Sequence, residues 1–129
     1  MTRLTIRIDF EDADGFGPGK ARLLELIEEH GSIRSAAAAM NMSYRHAWLL
    51  LQAVENTFGA PVMTTATGGA KGGGAKLNAL GKSIIAHYRA IENQAAKAAA
   101  GELSELTKTA AGSTITDERA GKRRERAPR

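Results

Sequence analysis

Two helix caps separated by a short alanine-rich helix and a tight turn constrain this chain more than any other feature. Gly31 ends one helix, and Ser32 offers its side-chain oxygen to the free amides of the next. Ile33, Ala36, Ala37 and Met40 recur at helical spacing and give that short helix one apolar face. Its four consecutive alanines favour helix and add little bulk, so a neighbouring helix approaches closely. Asn41 tolerates the left-handed backbone of a sharp turn. Ser43 caps a second helix, from Tyr44 to about Thr57, which stops at Gly59 and Pro61. Ala47, Leu50, Leu51, Val54 and Phe58 form its core stripe; Tyr44, Arg45, Trp48, Leu49 and Gln52 lie on another side.

Cap, short helix, turn, cap and longer helix read as a helix-turn-helix. The exposed first turn of the second helix carries Ser43, Tyr44, Arg45 and His46, donors and acceptors able to reach phosphates and base edges in a major groove. A plain helical hairpin gives the same pattern; the segment after the second helix separates the two. Residues 61–66 suit a strand, residues 67–75 form a glycine-rich tip, and Lys76-Leu77 returns from it. Strand, slim basic tip and return strand make a wing, whose Thr67, Lys71 and Lys76 can follow a sugar-phosphate backbone or enter a minor groove. The competing reading of the tip is a flexible surface loop.

Before this unit, Leu4, Ile6, Ile8 and Phe10 alternate with polar residues as a half-buried strand does. The acid- and glycine-rich residues 11–19 read as a loop. A helix comes next, from about Lys20 to His30, with Leu23, Leu24 and Ile27 inside and Glu25, Glu28 and Glu29 on a solvated face. After the wing, Asn78 caps a long helix from Ala79 to about Ala100, interrupted at Gly101 and extended by a turn or two through Leu103 and Leu106. Leu80, Ile84, Tyr88, Ile91 and Ala95 repeat along it at three- and four-residue steps, more apolar length than one small domain covers. A second copy would cover it and give a dimer; packing against the first strand and helix is the alternative.

The net charge of +4 is unevenly placed. Residues 119–129 hold six basic residues and one acid, residues 31–108 eight and four, and residues 1–30 four and seven. Positive charge thus coincides with the helix-turn-helix and its flanks, as phosphate binding requires. The expected organisation is one domain over residues 1–108, with a dimerisation helix over about 78–106 and a disordered basic tail over 109–129. The fold class is mainly α with a small β component, a winged helix-turn-helix.

With no cysteine, the chain has no disulfide and no thiolate metal site, and its three histidines lack ligand spacing. Neither a metal nor another cofactor is expected. Two phosphate-loop look-alikes fail: Gly81-Lys82-Ser83 has Lys76 where a glycine is required, and Gly19-Lys20 has Asp14 and Ala21 at the two defining positions. No acid-base pair or nucleophile-histidine arrangement points to an enzyme. No long apolar run suggests a membrane, so a cytoplasmic location is expected.

The strings at Phe16–Ile27, Gly31–Ala37 and Met42–Trp48, with the wing at residues 66–75 and Leu77–Gly81, resemble the N-terminal winged-helix domain of the ModE family of molybdate-responsive transcription regulators. The likeness covers about residues 3–105. A more distant one, at Leu51–Gly59, runs to the LysR-type regulators. The resemblance implies a dimeric protein on double-stranded DNA. It places Ser43, Tyr44, Arg45 and Trp48 in the recognition helix and residues 67–76 in the wing. Together with Ser32, His46 and Gln52 these are the expected DNA-binding residues. Molybdate-sensing members also carry C-terminal oxyanion-binding domains, and the sequence ends before one, so the expectation is either a stand-alone DNA-binding version or one that relies on a separate effector-sensing protein for the signal. The alternative to a specific DNA reader is a protein-interaction module on the same scaffold.

Overall fold

Gly31, Asn41 and Gly59 are the three described residues with positive φ, at 75°, 57° and 74°, and each ends a helical segment. The computed structural model describes residues 2–66 and 74–115. They fall into two compact units: Thr5–Glu92, and the residues up to Leu4 with the chain from Asn93 onward.

In the first unit the element order is β1 (Ile8–Phe10), β2 (Ala13–Phe16), α1 (Pro18–His30), α2 (Ile33–Ala39), α3 (Tyr44–Phe58), β3 (Met63–Ala66), β4 (Gly74–Leu77) and the greater part of α4, which runs over Ala79–Ala98 and whose residues from Asn93 on belong to the second unit. This is a mainly helical protein with two small antiparallel hairpins in a winged helix-turn-helix arrangement. Pro18 opens α1, where its missing amide costs nothing. The buried core gathers Leu23, Leu24 and Ile27 of α1, Ile33, Ala36 and Ala37 of α2, and Ala47, Leu51 and Val54 of α3. Phe16 of β2, Ala21 and Leu26 of α1, Val62, the strand residues Met63, Ala75 and Leu77, and Ile84 and Tyr88 of α4 complete it. Ala36, Ala37 and Ala47 are all fully buried, which is how the alanine run lets α2 and α3 close on each other.

The first hairpin differs from expectation. The strand expected over Leu4–Phe10 is hydrogen-bonded only from Ile8, because its partner β2 lies inside the segment expected to be a loop. The pairs are Ile8 with Phe16 and Phe10 with Ala13, with an irregularity between them. Before Ile8, the Ile6 carbonyl accepts a hydrogen bond from the Tyr88 hydroxyl at 2.6 Å instead of a ladder bond. Phe10 is not buried by that pairing and stays 37% exposed.

The glutamates of α1 are not a merely solvated face. Glu25 takes a bidentate pair of hydrogen bonds from Arg89 at 2.9 Å each, and Arg89 also bonds Glu92 at 2.7 Å. Glu28 accepts from the Leu77 amide at 2.9 Å, while Glu29 is exposed. The Arg89 guanidinium pulls the Glu25 carboxyl below its ordinary value, against an opposing push from burial. The two carboxylates in turn raise the Arg89 pKa.

Asn78 caps α4 as expected, its side chain accepting from the Gly81 amide at 2.9 Å and donating to the Pro61 carbonyl at 2.8 Å. Gly81 has a packing role and no phosphate role: a Cβ there would collide with the Val62 carbonyl oxygen. In the second unit Gly101 does not interrupt the helix. The Ala99 amide donates to Ala95 and the Leu103 amide to Ala99, both at 2.9 Å, and α5 runs over Ala100–Ile115. Helix therefore continues past Thr109, where tail was expected. The Thr2 and Thr107 hydroxyls share a hydrogen bond of 2.5 Å within this unit. Residues 119–129, the basic run, lie outside the described residues.

Candidate nucleic-acid interface

Each helix of the α2–α3 pair is fixed at its start by a serine. The Ser32 oxygen accepts from the Ser35 amide and the Ser43 oxygen from the His46 amide, both at 3.0 Å. Each such cap contributes about 1 kcal/mol. Between them the chain reverses through Met40 and Asn41, with the Asn41 amide on the Ala38 carbonyl and the Met42 amide on the Ala37 carbonyl. Asn41, at φ 57°, occupies the left-handed turn position expected of it. The result is a short turn that holds the first turn of α3 away from the core.

That turn and the next present a continuous outward face. Tyr44, Arg45, His46, Trp48, Leu49 and Gln52 are exposed, while Ala47 and Leu51 between them are buried. Leu49, at 50% exposure, and Trp48, at 37%, are large apolar groups left in solvent on the same face as Arg45 and Gln52. Single exposed apolar residues are ordinary, but on a helix entering a major groove they suit thymine methyl groups.

The wing root is held by carboxylates from two different helices. Glu28 of α1 takes the Leu77 amide, and Glu55 of α3 takes the Val62 amide at 3.0 Å. The Ala75 amide donates to the Gly31 carbonyl at 2.9 Å. β3 and β4 pair in register, Met63 with Leu77, Thr64 with Lys76, Thr65 with Ala75 and Ala66 with Gly74. Met63, Ala75 and Leu77 turn inward, and Thr64 and Lys76 outward. Thr67 and Lys71, expected at the wing tip, lie outside the described residues.

Between this hairpin and the helix pair is a cleft of about 220 Å³ whose walls include Ser32, Arg34, Tyr44, Trp48, Thr65 and Ala66. Ser32, Tyr44 and Trp48 thus come together from the expected residues. Arg45, His46 and Gln52 face outward beyond the cleft, and Lys76 lies on the opposite side of the hairpin, beside a hollow lined by Glu28 and Thr64. The Tyr44 ring meets Trp48 edge-on, with centroids 6.3 Å apart at 84°.

Arg34 was not among the expected residues. Its guanidinium carbon sits 4.5 Å from the Tyr44 ring centroid. The signal for it in the sequence is slight, one basic residue just inside the α2 cap. Neither Arg34 nor Arg45 forms an ion pair with a described residue, whereas Arg7, Arg22 and Arg89 each have a carboxylate within 3.5 Å. The positive charge on the helix-turn-helix is therefore uncompensated by any close carboxylate among the described residues.

A second surface of this unit is apolar. Ile8, Phe10, Phe58, Leu80, His87 and Ile91 border a groove of about 360 Å³ floored by Phe16, Ile84 and Tyr88. Of the expected dimerisation residues, Ile84 and Tyr88 are buried within the single chain itself, Leu80 is half-buried and Ile91 is exposed. Ala95, in the second unit, is half-buried.

Residues 19–82 match the family of bacterial regulatory helix-turn-helix proteins of the lysR type. This stretch takes in α1 from its second residue, the helix-turn-helix, the wing and the start of α4. The chain is 46% identical over 81 residues to the molybdenum-pterin-binding protein MopB of Rhodobacter capsulatus, covering 63% of this chain and 30% of that protein. It is 36% identical over 85 residues to the molybdenum transport protein ModE of Azotobacter vinelandii, covering 66% and 32%. It is 32% identical over 91 residues to the transcriptional regulator ModE of Haemophilus influenzae, covering 70% and 36%. The matches span about a third of the length of these relatives.

Proposed function

Given that residues 19–82 are a regulatory helix-turn-helix of the bacterial lysR family, we propose that the chain is a sequence-specific DNA-binding transcriptional regulator that acts as a homodimer. The observation that carries this reading is the exposed row Tyr44, Arg45, Trp48, Leu49 and Gln52 on a helix whose start is held outward by the Ser43 cap. The first turns of α3 enter the major groove. Arg45, free of any ion pair with a described residue, is the leading base reader, since a bidentate arginine–guanine contact contributes ~1–3 kcal/mol of discrimination. Tyr44, His46 and Gln52 supply further polar contacts. The wing tracks the backbone or the minor groove, with Lys76 and the tip residues Thr67 and Lys71 on phosphates.

A second copy covers the apolar groove at Phe10, Leu80 and Ile91, with the groove facing its own symmetry mate. Two recognition helices then reach half-sites about one helical turn or a multiple of it apart. The names of the relatives tie them to molybdenum. This chain aligns with them through the helix-turn-helix region. None of the described helices is long and apolar enough to cross a membrane.

The test is selection of sequences from a random duplex pool, then titration of the enriched duplex and a scrambled one at several salt concentrations. A specific regulator enriches a two-fold-related sequence and prefers it by several orders of magnitude. Its affinity falls with salt at a slope of about 0.9 per phosphate contacted. Equal binding to both duplexes, with a protein partner retained in preference to DNA, would sink the reading in favour of a protein-interaction module. For the dimer, Ile91→Asp should turn a dimer into a monomer in sedimentation without unfolding it, because Ile91 is exposed in the protomer.

A further inference from the structure

The two exposed aromatic residues of α3 and the arginine of α2 make a short stack. Arg34 lies over one face of Tyr44, at 4.5 Å, and Tyr44 presents itself edge-on to Trp48. The stack forms one wall of the cleft whose other wall is the wing, at Thr65 and Ala66. A guanidinium lying on a ring uses its flat face for the attraction and leaves its N–H donors, which point outward in its plane, free for oxygen acceptors. No described carboxylate takes them. By contrast, Arg89, which lies over Tyr88 at 5.5 Å, gives its donors to Glu25 and Glu92.

We infer that Arg34 is a positioning residue and a phosphate clamp: it holds the Tyr44 ring in its reading position and binds a phosphate of the DNA strand lying in the cleft between recognition helix and wing. The inference rests on the DNA-binding reading above and names a residue and a binding groove for it. The occupant is set by the lining. The cleft is narrow at 220 Å³, apolar along Trp48 and Ala75, and polar at Ser32, Thr65 and the Arg34 fork. A sugar–phosphate strand has the same alternation, with a sugar ring against the aromatic wall and a phosphate at the guanidinium. An arginine–phosphate pair is bidentate and charge-assisted, so it fixes orientation as well as adding attraction.

Two roles for one side chain are separable by substitution. Arg34→Ala removes both the charge and the stack. Arg34→Lys keeps the charge but not the planar fork. The chain has a single tryptophan, so emission from Trp48 reports on the stack directly. The measurements are titrations of the duplex enriched by the wild-type protein and of its scrambled counterpart, over a salt series, together with the Trp48 emission of the free proteins. Arg34→Ala should weaken binding of the enriched duplex roughly ten- to a hundredfold and lower the salt slope by about 0.9, one phosphate contact. Arg34→Lys should keep the salt slope, yet narrow the preference for the enriched duplex. Both should alter Trp48 emission before DNA is added. Arg34 is exposed, so circular dichroism should find both variants folded.

If the wild type selects a sequence and Arg34→Ala binds it with unchanged affinity and slope, the inference falls and the DNA-binding reading stands. If Arg34→Lys behaves as wild type in selectivity and emission, the positioning role falls and Arg34 is only a charge. A wild type with no sequence preference overturns the DNA-binding reading itself, and the inference with it.

Discussion

Among the described residues are two arginine–tyrosine pairs, and they differ in how far their polar atoms are satisfied. Arg89 and Tyr88 on α4 are spent internally. The Tyr88 ring is 2% exposed, packs edge-on against Phe16 at 5.3 Å, and donates its hydroxyl to Ile6. Burial raises its pKa, with the nearby Glu92 adding to the push. Arg89 is tied to two carboxylates. Arg34 and Tyr44 have the same two groups in similar proximity, but the ring is 40% exposed and the guanidinium has no carboxylate partner among the described residues. The difference teaches that residue type does not separate a scaffold from an interface. What separates them is whether the polar atoms are already satisfied. A satisfied pair stabilises the fold; an unsatisfied one is available to a partner.

The two tyrosines put this contrast to its hardest test. Tyr88→Ala should cost about 3–5 kcal/mol in chemical denaturation, as large core aromatics do. Tyr44→Ala should change stability by no more than about 0.5 kcal/mol while removing most selectivity for the enriched duplex. Similar losses of stability from both would break the contrast. Next in size is Arg89→Ala, which strips Glu25 of its bidentate partner and should cost about 1–2 kcal/mol, since the pair is partly solvated; Arg34→Ala should cost almost nothing by the same denaturation assay.

The smallest expected effect is the pH dependence of the internal pair. The folded Glu25 carboxyl is held below its ordinary value, first by the hydrogen bonds from Arg89. Its contribution to stability is therefore complete above the ordinary carboxylate pKa and is lost as pH falls through the lowered one. Glu25→Gln should flatten the acid limb of a stability–pH curve in that window. A variant with an unaltered acid limb would show that the pair adds nothing to the fold. Tyr44→Ala should leave that limb as it is.

Much of the helix-turn-helix was legible before any coordinates. Gly31, Ser32, Asn41, Ser43 and Gly59 each do what was expected of them, because caps and left-handed turns are decided by atoms within about four residues along the chain. Most buried positions of α1, α2 and α3 could be read from spacing for the same reason, although Ala21 and Leu26 of α1 are buried as well, and Leu50 and Phe58 of α3 only half-buried. The β2 strand was missed because Asp14 and Gly15 are weak strand formers, and only pairing with β1 makes them one. The interruption expected at Gly101 is absent, and Gly101 lies inside α5, because one glycine in a helix costs only about 1 kcal/mol, less than the flanking helix formers supply.

The sequence by itself determined the caps and the turn of the helix-turn-helix, most of the apolar faces of its helices, and that basic residues gather on it. Only the tertiary structure decided which polar groups are consumed. Glu25 and Arg89 are 64 residues apart, and Glu28 and Leu77 are 49 apart, so no local pattern could tell that these glutamates are structural rather than solvated. The same holds in the other direction for Arg34, which reads as one more surface charge on α2. It lies on an exposed aromatic ring because the Asn41 turn brings Tyr44 of the next helix under it. Spacing sets the shape of each element, whereas the satisfaction of a donor depends on what the folded chain places within about 3 Å of it.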